Sequence, residues 1–132
     1  MPFCSFYFRH MFFKRTSLFL GVCLLAAALM APAKSFEKRV DFTKQIKPIF
    51  KNDCYDCHTT NHAKGGLDMS TKAGLARGGD TGKLFKAGKS SQSLLIKRLK
   101  GQGGPRMPKG ENALKEAQIK LISKWIDEGA RM

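Results

Sequence analysis

The sequence predicts an all-α domain. Two segments place apolar residues at helical spacing, glycines break the chain between them, and no segment alternates apolar and polar residues as a strand would. The first helix spans Asp41 to Asp53. Phe42, Ile46, Ile49 and Phe50 form one apolar stripe, while Lys44, Lys47 and Lys51 fall on the opposite, solvated side. Pro48 has no N–H and is comfortable only in a first turn, so the helix either starts near Gln45 or kinks. From Asn61 to Gly88 seven glycines predict turns and one short helix, Ser70 to Arg77, with Ser70 or Thr71 as its cap.

Ser91 to Lys100 is the next helix. Ser90 or Ser91 can cap it, Leu94, Leu95 and Leu99 supply its apolar side, and Gly101 ends it. A loop follows from Gly101 to Asn112, holding Gly103-Gly104-Pro105 and Met107-Pro108. The last helix runs from Lys115 to Glu128, with Gly129 as a left-handed terminator. Ile119, Ile122 and Ile126 make one row and Leu121 and Trp125 an adjacent one, a wide face to bury.

Ahead of this domain, residues 1–33 have the layout of a secretory signal peptide. Arg9, Lys14 and Arg15 form a basic start, Leu18 to Met30 an apolar run, and Ala31-Pro32-Ala33 a small-residue cleavage site. Met11-Phe12-Phe13-Lys14-Arg15 would already suffice as a charged leader. The apolar run is shorter than the roughly 20 residues that span a bilayer. Leu20-Gly21-Val22-Cys23 departs from a lipoprotein box, because Val22 is not small and little apolar chain precedes Cys23. The expected product is an exported, periplasmic domain, 34–132; an uncleaved leader would tether it loosely to the membrane.

Cys4 and Cys23 leave with the leader, so only Cys54 and Cys57 remain and no long-range disulfide can staple the fold. Residues 34–132 keep 21 of the 24 basic residues and all 10 acidic ones, a net charge of +11. That surface favours acidic partner proteins. Export, and basic residues scattered instead of gathered on one arm, argue against nucleic acid.

Cys54-Tyr55-Asp56-Cys57-His58 is C-x-x-C-H, the attachment sequence for c-type haem. Two thiols can add across the two vinyl groups of one porphyrin edge only if they lie a few residues apart on a tight turn. The histidine that follows is then carried to the iron. Rival uses of these residues fit less well. A zinc site of Cys54, Cys57, His58 and His62 would crowd four ligands into nine residues, with no separated second pair. A thioredoxin-like dithiol needs a strand-helix-strand setting, and a disulfide closing so small a loop would stabilise little. His62 reads as a surface residue. For the sixth iron ligand the mature chain offers Met69, Met107 and Met132. Met132 ends the chain, and Met69 follows Leu67 into a core position. Met107 lies in a loop stiffened by Pro105 and Pro108 and is the preferred ligand; the alternative is ordinary packing by a flexible side chain.

The order of parts resembles class I cytochrome c, and most closely the planctomycete-type cytochrome c domain. The resemblance rests on Val40-Asp41-Phe42, Ile46 to Phe50, Cys54 to His58, Gly65-Gly66-Leu67, Ser93-Leu94-Leu95, Arg106-Met107-Pro108 and Trp125 to Ala130. It implies an all-α, class I cytochrome c-like fold with crossing first and last helices, the haem enclosed by helices and glycine-rich loops. It also implies one covalent haem c on Cys54 and Cys57, with His58 and Met107 as axial ligands. Lys109 stands where that family usually has a second proline, and Lys115 where it has a serine or threonine cap. The expected function is an exported electron carrier docking acidic redox proteins, with no small-molecule substrate and no catalytic residue. Two alternatives stay open: a haem-bearing subunit of a periplasmic dehydrogenase, and a sensor or peroxidase-like protein with an open sixth position.

Overall fold

The computed structural model describes residues 37–110 and 113–132. The expected leader, with Cys4 and Cys23, lies outside the described residues, as do Glu111 and Asn112 of the late loop. The chain divides into two units, Met1–Glu37 and Lys38–Met132.

The second unit is helix-rich. It opens with a π-helical turn, Phe42–Ile46, that runs straight into α1, Lys47–Asp53. A minimal antiparallel ladder follows, β1 (His58–Thr59) with β2 (His62–Ala63), His58 facing Ala63 and Thr59 facing His62. Next come a 3-10 turn at Lys64–Gly66, α2 (Lys72–Arg77), a second 3-10 turn at Ser90–Gln92, α3 (Leu94–Leu99) and α4 (Glu116–Asp127). The ladder was not expected. Two residues per strand are too few to leave an alternating pattern in the sequence.

The π turn resolves the difficulty with Pro48. Asp41 caps the segment, its carboxylate accepting from the Lys44 amide at 3.0 Å, while Gln45 Oε1 accepts from the Asp41 amide at 2.8 Å. The Lys47 amide then bonds to the Phe42 carbonyl, five residues back. The wider turn falls just before the residue that has no donor, and Pro48 enters α1 within its first two positions. The helix therefore spans the expected range, with the irregularity absorbed at its start.

Trp125 on α4 is the hub of the core, only 1% exposed. Its ring meets Phe42 at 5.5 Å, Phe50 at 6.0 Å and Phe85 at 5.1 Å between centroids. The first and last helical segments are joined through these rings. Ile46, Ile122 and Ile126 are fully buried beside them, so the stripes read from sequence face each other.

The residues after Trp125 tie three distant segments together. Glu128 accepts from the Val40 amide at 2.7 Å, and the Ile126 carbonyl accepts from the Gly88 amide at 2.8 Å. Asp127 accepts from both the amide and the hydroxyl of Ser90, at 2.8 and 2.7 Å. Ser90 is thus committed to α4 and does not cap α3. Ser93 holds the cap position instead, but its hydroxyl accepts from the Lys86 amide and donates to the Lys89 carbonyl, each at 2.9 Å. A hydroxyl this buried needs partners, and the nearby loop supplies them; α3 accordingly starts three residues later than its serines suggest. At the head of α4, Gln118 Oε1 accepts from the Lys115 amide at 2.9 Å. That is half of a capping box, since a lysine side chain has no acceptor to complete it.

Candidate haem site

The C-x-x-C-H segment continues α1 as a tight turn. The Cys54 amide still bonds to Phe50, and the amides of Cys57 and His58 both bond to the Cys54 carbonyl, at 3.2 and 3.0 Å. Cys54 and Cys57 are half-buried and free. Burial, and secondarily the charge of Asp53, push the Cys54 thiol up to about 12. A redox dithiol works through a lowered pKa; this thiol stays protonated. At Cys57 the Lys64 ammonium donates to Sγ at 3.5 Å.

His58 begins β1. Its carbonyl accepts from the Met69 amide at 2.8 Å, and its Nδ1 is buried with no hydrogen-bond partner among the described residues. The next stretch of chain braces it. Asp68, 5% exposed, accepts from the Ser70 hydroxyl (2.6 Å) and amide (2.8 Å), and from the hydroxyls of Thr71 and Thr60 at 3.0 Å each. Led by the Ser70 hydroxyl, these donors outweigh burial and hold the carboxyl down at about 2. Thr60 leaves β1 just after His58, so Asp68 clasps the histidine loop to the start of α2. Gly74 permits the clasp: a β-carbon there would run into the Asp68 carbonyl. The sequence reading missed Asp68. Its signal was the Asp68-Met69-Ser70-Thr71 spacing, a carboxylate two residues ahead of a hydroxyl and an amide it can bond.

A cavity of about 760 Å³ opens beside this turn, lined by Cys54, Cys57, His58 and Met107 together. The Met107 amide donates to the Arg98 carbonyl at 2.9 Å, fastening the methionine loop to α3, and Pro105 and Pro108 line the cavity beside it. Met69 also reaches the cavity, but at 2% exposure it belongs to the core, as its sequence position suggested. Met132 is at the exposed terminus and His62 is exposed on β2. Among the described residues no three His, Cys, Asp or Glu side chains are grouped to hold a metal ion.

The donor set fits a covalently held haem. The volume falls in the range of cofactor sites, about 300–1,000 Å³. Leu84, Leu94, Leu95 and Leu99 give the wall an apolar face. Two adjacent thiols, an imidazole that makes no protein hydrogen bond through its buried nitrogen, and a thioether are the groups that attach and ligate such a cofactor. Among the described residues no helix is long and apolar enough to cross a membrane.

No curated protein and no solved structure matches the chain. A family model does, that of Planctomycete cytochrome C, over residues 54–111, from Cys54 through the loop that holds Met107. Cytochrome c domains are in general electron-transfer modules carrying covalent haem c. The stretch that holds the whole candidate donor set thus matches the family that the order of motifs resembles, Planctomycete cytochrome C.

Proposed function

We propose that the chain is a monohaem c-type cytochrome that carries electrons outside the cytoplasm. The reading rests on one observation: Cys54, Cys57, His58 and Met107, up to 53 residues apart in sequence, line a single apolar-walled cavity. Cys54 and Cys57 would form the two thioethers, and His58 and Met107 would ligate the iron. A haem held there supplies a one-electron couple, and a histidine-methionine pair places that couple at high potential.

The protein's own contribution is to keep the donors still. His58 is held by the turn on Cys54 and by the Asp68 clasp, and Met107 by its bond to α3. Ligands that do not move between oxidation states keep reorganisation small. The leucine wall excludes water, which would otherwise compete for the sixth position. The joining of first and last helical segments through Phe42, Phe50 and Trp125 supports a class I cytochrome c-like architecture. Residues 1–33 would act as a cleaved leader delivering residues 34–132 to the periplasm. The basic surface would steer the carrier toward acidic sites on its redox partners.

Expression alongside a cytochrome c maturation system tests the reading. The expected product is red, weighs one haem more than the polypeptide from about Lys34 onward, and shows the weak near-infrared band of sulfur-ligated ferric haem. Colourless protein with the mass of its amino acids alone refutes it.

A further inference from the structure

Three cations line the cavity: Lys64, Arg98 and Lys109. Lys64 is occupied at the attachment edge, its ammonium on Cys57 Sγ, and Lys109 is exposed. Arg98 differs from both. It is half-buried on α3, next to the wall leucines Leu95 and Leu99. Its carbonyl takes the amides of Met107 and Gly101, at 2.9 and 3.2 Å. Its guanidinium lies in a notch shaped by Gly104, where any β-carbon would collide with it.

Among the described residues nothing neutralises this cation. No carboxylate among the described residues lies within ion-pair distance of Arg98. The described chain on either side of it offers none: Thr81 to Gly110 contains eight basic residues and no acidic one, and Glu111, which follows, lies outside the described residues. Of the acids that line the cavity, Asp53 accepts from Gln118 at 3.4 Å and Asp80 lies over Gly66, while Asp56 is exposed. A half-buried guanidinium beside an apolar wall gains by meeting an anion, and its planar fork matches a carboxylate.

We infer that Arg98 is the carboxylate anchor of the cofactor cavity, receiving a propionate of the haem. The inference rests on the haem reading above. A porphyrin joined to Cys54 and Cys57 by its vinyl carbons presents its carboxylates on the far edge, away from Lys64. The fork of Arg98 then orients the cofactor independently of the thioethers and places a fixed positive charge beside it.

The test uses matured protein carrying Arg98→Gln, Arg98→Lys or, as a charge-matched neighbour on the exposed side of α3, Lys97→Gln. Mass confirms one covalent haem in each. Resonance Raman reads the propionate bending modes, and titration reads the potential at low and high salt. Arg98→Gln should shift the propionate modes and lower the potential by an amount that survives high salt. Lys97→Gln should leave the modes in place, and any change in potential should fade with salt, as exposed charges do. Arg98→Lys should restore much of the potential while leaving the modes shifted; should Arg98→Gln not mature, this variant reads the same contact. Unchanged modes in both Arg98 variants, or a potential change that salt abolishes, would overturn the inference and leave haem attachment standing. Matured protein with no haem overturns both.

Discussion

Replacing Asp68 by Asn tests the clasp behind His58 with little change of shape. Four donors converge on the carboxylate. Hydrogen bonds to a charge contribute about 1.5–3 kcal/mol each, but summing them would ignore the cost of burying it. The displacement of the titration already contains both. A fall from 3.8 to about 2 corresponds to about 2 kcal/mol of folding free energy, with no large discount for solvent because the group is 5% exposed. The folded-state pKa lies below the unfolded one, so this contribution is complete above about pH 4 and is lost as pH falls toward 2. Urea unfolding of the holoprotein from pH 7 to pH 2 should therefore show Asp68→Asn about 2 kcal/mol less stable than wild type near neutrality. The gap should close in acid. Other carboxylates titrate in both proteins and cancel in the difference. A gap that stays constant with pH, or none at pH 7, would show that the charge of Asp68 does not hold this loop.

Trp125→Ala removes the ring shared by Phe42, Phe50 and Phe85 and should cost about 3–5 kcal/mol, read by the same unfolding; a loss under 1 kcal/mol would mean the helical segments are joined elsewhere. Met107→Ala should keep covalent haem, lower the potential and open the iron to carbon monoxide, whereas Met69→Ala should change stability more than ligation. The opposite pattern would make Met69 the ligand. In Cys57→Ser, mass spectrometry should find attachment weakened or lost, and a normal two-thioether product would contradict the assignment. Stopped-flow reduction by an acidic partner should slow as salt rises; rates indifferent to salt would remove the docking role of the lysines.

What was legible in the sequence was whatever depends on residues near one another along the chain. The stripe from Phe42 to Phe50 and the rows of the last helix are local periodicities, and they are buried as read except at Leu121, which is half-buried against the core. C-x-x-C-H is a local spacing, and the turn that centres on the Cys54 carbonyl follows from it. Gly129, at φ +98°, ends the last helix as expected. Errors arose where a side chain had a choice of partners. Ser90 and Ser91 each look like caps, yet Asp127 takes the Ser90 hydroxyl and the cap position falls to Ser93, whose own hydroxyl the Lys86–Lys89 loop engages. Pro48 left two options open, and a π turn, which no propensity marks, was the third.

The site divides along the same line. The two thiols and the imidazole are adjacent in sequence, so their chemistry was readable without a fold. Met107 could be preferred over Met69 only by an argument about loop stiffness, and both reach the cavity. Asp68, Arg98 and the leucine wall were invisible, because a clasp, a notch and a cavity exist only once segments dozens of residues apart have packed. Sequence by itself determined the C-x-x-C-H spacing on which the proposed haem attachment rests. Tertiary structure alone decided how the histidine is braced, which cavity cation meets no carboxylate among the described residues and which methionine is held by α3, because burial and pairing depend on distances in space.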